Sequence, residues 1–157
     1  MGNPDTPPAK WAVPPTAKDR SAAQRAVNAL LDELAPERVI KRAERPPMTV
    51  EQHRSPNGCV LQGPTAALSV SWFPDSDKDG AVGELHVVVW RGIVSRRGVP
   101  RRPDGAVVSR DLVLYPVEGA TPECMWRATD GSTHDTHSLA AHCLALLAGE
   151  IEAAGPG

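Results

Sequence analysis

His134-Asp135-Thr136-His137 places two imidazoles and a carboxylate in one short segment, with His142 and Cys143 a few residues on. Histidine, aspartate and cysteine are all transition-metal ligands, so His134, Asp135 and His137 form a metal candidate. Two histidines that share a metal on one helix usually stand four apart, and His137 and His142 are five apart. No HExxH is present. The plain alternative makes His134 and His137 loop and helix-start residues, His142 a flank residue, and Cys143 part of an apolar stripe.

A second group is basic. Arg96, Arg97, Arg101 and Arg102 crowd one loop, with Arg91 and Arg110 on the adjoining strands. Guanidinium groups recognise phosphate bidentately, which makes this an anion or nucleic-acid candidate. Aromatic residues for stacking bases are missing there, and the plain reading is a soluble hairpin tip guarded against aggregation.

A third group is acidic. Asp75-Ser76-Asp77-Lys78-Asp79-Gly80 follows the D-x-D-x-D-G half of a calcium loop, with Asp75, Asp77 and Asp79 as ligands. The bidentate carboxylate needed at loop position 12 is absent, since His86 stands there, and the flanks read as strands. Aspartate and glycine are also ordinary turn residues.

Nucleophilic chemistry has less support. Cys59, Cys124 and Cys143 are an odd count without CxxC spacing, which favours free thiols in a reducing compartment. No G-x-S-x-G elbow, Walker A loop or dinucleotide fingerprint occurs. No cofactor is expected.

The elements that must position these groups follow from periodicity. Residues 1–17 form a proline-rich tail in which Trp11 is the largest apolar group. Ser21 and Gln24 have capping-box spacing, and Ala23, Val27, Leu30, Leu31 and Leu34 then make one helical stripe. Ala35-Pro36 ends that helix or begins a short turn, and Glu37 to Arg45 is ambiguous. From Met48 the period falls to two. Short strands follow around Met48–His53, Cys59–Gln62, Leu68–Trp72, Glu84–Ser95, Val107–Val117 and Glu123–Thr129, punctuated by Ser55-Pro56-Asn57-Gly58, Gly63-Pro64 and other turn signals. A last helix runs from near Asp135 or Thr136 to about Ala153, its stripe being Leu139, Cys143, Leu146, Leu147 and Ile151.

Strands joined by short links are antiparallel neighbours. The expected fold is therefore α+β: a two-layer sandwich in which an antiparallel meander of about four to six strands carries an N-terminal and a C-terminal helix on one face. Residues 18–153 make one domain and 154–157 a frayed end. Glu84–Ser95, rich in β-branched residues on both faces, reads as the central strand. Its flanking loops should lie about 30 to 40 Å apart, one acidic and one basic. The Asp130–His137 turn is expected to return to the basic end.

Composition narrows the function. The chain has 157 residues, 41% hydrophobic and 23% charged, with a net charge of -2. That balance recruits neither nucleic acid nor anionic membrane by a global field. No apolar run approaches the roughly 20 residues of a membrane span, and the N-terminal stretch lacks the regions of a secretory signal, so a cytoplasmic location is expected. On the strand face opposite the core, His86, Val88 and Trp90 leave an apolar strip that invites cover by the Trp11 tail or by another protein. The expectation is a non-enzymatic interaction module, a homo-oligomer or subunit using Trp11, His86, Val88 and Trp90. The alternatives are a metal-dependent enzyme at His134, Asp135 and His137 acting on an anionic substrate, and a nucleic-acid accessory protein using the arginines.

Overall fold

A computed structural model describes residues 20–43, 49–74, 83–94, 105–118 and 124–154. Trp11, the Asp75–Asp79 loop and Arg96, Arg97, Arg101 and Arg102 lie outside the described residues. Among the described residues, helices α1 (Arg20–Glu33) and α2 (Pro36–Ala43) precede strands β1 (Glu51–Ser55), β2 (Gly58–Gln62), β3 (Ala66–Phe73), β4 (Glu84–Gly92), β5 (Ala106–Glu118), β6 (Cys124–Ala128) and β7 (Thr133–His134), and helix α3 (Thr136–Ala153) follows. The strands form one antiparallel sheet in sequence order, β1 to β7. The α+β meander thus stands, wider than expected by one strand and with a third helix.

Local chemistry accounts for the elements. The α1 stripe buries Ala23, Ala26, Val27, Leu30 and Leu31, with Leu34 buried just beyond the helix. α1 begins at Arg20, one residue before the expected start, and the Gln24 amide donates one turn forward to Asn28 Oδ1 at 3.2 Å. Pro36 opens α2, where a missing N–H costs nothing and the fixed φ suits the first helical turn. In α3, Asp135 is the N-cap and accepts from Ser138 N at 2.6 Å. Its buried stripe is Leu139, Ala140, Cys143, Leu144, Leu147, Ala148 and Ile151; Leu146 lies at the margin, because Leu144 is the residue one turn from Ala140 and Ala148.

The strands sort their side chains by parity. Leu85, Val87 and Val89 of β4 are fully buried while His86, Val88 and Trp90 are half-buried. Leu61, Leu68, Val70, Trp72, Leu114, Trp126 and Ala128 join the first set in one core with residues of all three helices. Trp72 and Trp126 meet edge to face at 5.8 Å. The two-residue link Pro56-Asn57 turns β1 into β2, as the turn signal predicts.

Strand β4 ends three residues before the expected Ser95. Gly92 has φ 110°, and a Cβ there would stand 2.2 Å from the Gly105 carbonyl oxygen, so the chain leaves the ladder where only glycine fits. On the facing strand Val89 pairs with Arg110 and Trp90 with Val108, which leaves Ser109 as the extra residue of a β-bulge. β5 also runs past the end of the β4 pairing at Leu85 and Leu114, and β6 pairs with this lower stretch, Leu114–Glu118. The turn after β6 therefore reaches only mid-sheet: Thr129 N donates to Val113 O at 3.3 Å. The expected return of this turn to the basic end is corrected by the length of β5, and α3 covers the remaining distance.

Candidate functional site

The face of the sheet turned away from the helices carries the strip that the alternation marks out. Across β3, β4 and β5 the register brings Phe73, His86, Val88, Trp90, Val108, Val113 and Tyr115 to this one side. Phe73 is 49% exposed and Val108 52%. The Trp90 indole N–H donates to Ser69 Oγ at 3.1 Å, which satisfies both a buried hydroxyl and the only polar atom of the ring. Trp90 therefore offers an apolar surface with no unmet hydrogen bond. It packs on a small second cluster of Val60, Ala67, Val94 and Ala106. His86 lies between Glu84 Oε1, at 3.1 Å, and the edge of Phe73, with ring centroids 4.7 Å apart. Of the residues expected to form a contact surface, His86, Val88 and Trp90 thus share one face.

At one end of the opposite face the bulge does a specific job. Ser109 donates to Glu150 Oε1, and Arg91 Nε donates to Glu150 Oε2 at 2.7 Å. These two contacts hold the Glu150 carboxyl below its ordinary range, Ser109 first and Arg91 second, against the opposing effect of burial. Arg110 is near enough for its charge to be felt by both Glu150 and His142. A carboxylate so fully engaged ties α3 to β4 and β5 and is poorly suited to proton transfer. Sequence reasoning missed Glu150, whose partners stand 59 and 41 residues away.

The histidine segment disperses. His134 stacks on His142 with ring centroids 5.5 Å apart and planes at 15°. Asp135 caps α3, and His137 Nδ1 lies 2.6 Å from Glu33 Oε1 on α1. Asp130, in the turn before β7, accepts from Ser132 N and Ser132 Oγ, which hold its carboxyl below the ordinary range. Among the described residues, no three histidine, cysteine, aspartate or glutamate side chains are grouped to hold a metal ion. Nor do His134, Asp135 and His137 stand together. Among the described arginines, Arg110 is near enough to act on His142, the stacking partner of His134, and Arg91 is committed to Glu150.

The thiols are recessed. Cys59 and Cys143 are buried, and burial pushes each up to about 12, which leaves them protonated and weakly nucleophilic. Cys124 is buried as well. No helix among the described residues is long and apolar enough to cross a membrane. Compared with known proteins, the chain matches no protein-family model, no curated protein and no solved structure.

Proposed function

We propose that this chain is a non-enzymatic interaction module that works through protein–protein contact, as a homo-oligomer or as a subunit of a complex. Its helices and sheet form the two layers of a sandwich, and the outer layer face is the contact surface. One observation carries the reading: among the described residues, the face of β3, β4 and β5 turned from the helices presents Phe73, Val88, Trp90, Val108, Val113 and Tyr115 as a largely apolar strip in which Ser71, His86 and Asp111 are interspersed. Such a strip gains free energy when a partner removes it from water. Aromatic anchors of the Trp90 kind dominate contact energies, and this one needs no polar partner beyond Ser69. The engaged carboxylates and the buried thiols described above supply no competing reactive centre among the described residues.

The test is a native mass spectrum of the full-length protein and of Trp90→Ala. The expected result is a dimer or larger species for the natural protein and a shift toward monomer in the variant, with circular dichroism unchanged. An oligomeric mass that Trp90→Ala leaves unaltered refutes the assignment of the face. For a natural protein that is monomeric, the reading requires a partner chain whose capture is lost in Trp90→Ala.

A further inference from the structure

The geometry points to the stacked His134–His142 pair as a pH-responsive latch: it holds β7 against α3 while the pair carries at most one proton, and it releases β7 when the second proton binds. β7 contributes only Thr133 and His134 to the sheet, paired with Arg127 and Trp126 of β6. So short a strand has little of its own to hold it, and its side-chain contacts with α3 matter in proportion.

The contact that β7 makes is the imidazole stack; beside it, β6 is tied to the first residue of α3 by the Trp126 Nε1 hydrogen bond to Thr136 Oγ1 at 3.2 Å. Two neutral imidazoles, or one neutral and one charged, stack without penalty. Two imidazolium rings 5.5 Å apart repel.

The charges around the pair set the order of events. From the β6–β7 turn, Asp130 faces both rings, and its carboxyl, held ionised by Ser132, balances the first proton. From β5, Arg110 opposes protonation of His142, as does His134 from β7. Burial acts in the same sense and is the largest influence, so His142 binds its proton less readily than an ordinary histidine. The sign follows. A histidine lowered in the folded state binds fewer protons there than in the unfolded chain. Its contribution to stability is present at neutral pH and is lost as pH falls below 6.5, the ordinary value. Part of that cost is the repulsion between His142 and His134 across the stack with β7.

The experiment follows the Cε1 protons of the full-length protein by NMR, with a chelator present so that no metal shifts the rings. In parallel, amide exchange at residues 130–136 is measured at about pH 7.5 and about pH 5, corrected for intrinsic rates. The expected result is a His142 midpoint below the ordinary histidine value that moves up toward it in His134→Gln. Protection at 130–136 should drop by at least about threefold more than protection in β3 and β4 at the lower pH. His142→Phe keeps a ring on His134 without a titrating proton, and there the extra loss of protection should vanish. An ordinary midpoint for His142 that ignores His134→Gln overturns the latch, as does an acid-induced loss of protection that persists in His142→Phe.

Discussion

Two tryptophans, one on each face of the same sheet, do different work. Trp126 points to the helices, is fully buried, meets Trp72 edge to face and donates to Thr136. Trp90 points the other way, is half-buried, donates to Ser69 and leaves its ring partly in reach of solvent. The helix face is closed by three helices, whereas among the described residues the outer face buries a small cluster around Ala67 together with Ser69 and Val117. The same residue type is therefore a keystone of folding in one place and an anchor for contact in the other. What separates them is not the strand they occupy but which side receives the helices.

The sharpest way to break that comparison is to truncate both rings. Trp126→Ala should cost about 3–5 kcal/mol of folding free energy, read from urea denaturation, because a large cavity opens in a core that cannot close over it. Glu150→Gln comes next. It removes a charged acceptor from Ser109 and Arg91 and should cost about 1.5–3 kcal/mol. It also has a pH signature. Glu150 is lowered in the folded state, so its contribution is present above the ordinary value of 4.5 and is lost as pH falls through the folded value. The acid limb of stability against pH should be shallower in Glu150→Gln than in the natural protein.

Trp90→Ala should cost less than Trp126→Ala, about 1–2 kcal/mol, since the ring is only partly removed from water in the isolated chain. Equal losses for the two substitutions would show that the outer face is as much a part of the folding core as the helix face. Smallest of all, Val108→Thr should stay within about 0.5 kcal/mol in folding while weakening any assembly that buries this face. A large folding loss there would mean that Val108 already has a cover of its own.

Much of this architecture was legible beforehand. Leu85, Val87 and Val89 against His86, Val88 and Trp90 sorts the two sides of the strand, and apolar residues on both sides marked it as the central strand of the sheet. The Pro56-Asn57 turn and the α3 start at Asp135 were readable from backbone chemistry that acts within a few residues. Three things were not. β7 is two residues long, too short to display any period. The Ser109 bulge shifts register without leaving a mark on the pattern of apolar residues.

The third is the histidine segment, which looked like a cluster because its members are adjacent in the chain. Between His134 and His137 the backbone passes from strand through cap into helix, so the side chains are sent to α3, to the cap and to α1.

Alternation and turn chemistry, which act over a few residues, were enough to determine an order of six strands between an N-terminal and a C-terminal helix and the two sides of the central strand. Only the tertiary structure decided which parity the helices cover, where β6 stops along β5, and which distant groups meet at Glu150 and His142. Those outcomes depend on pairing register and packing between residues far apart in the chain, and such contacts leave no local signature in the residues that make them.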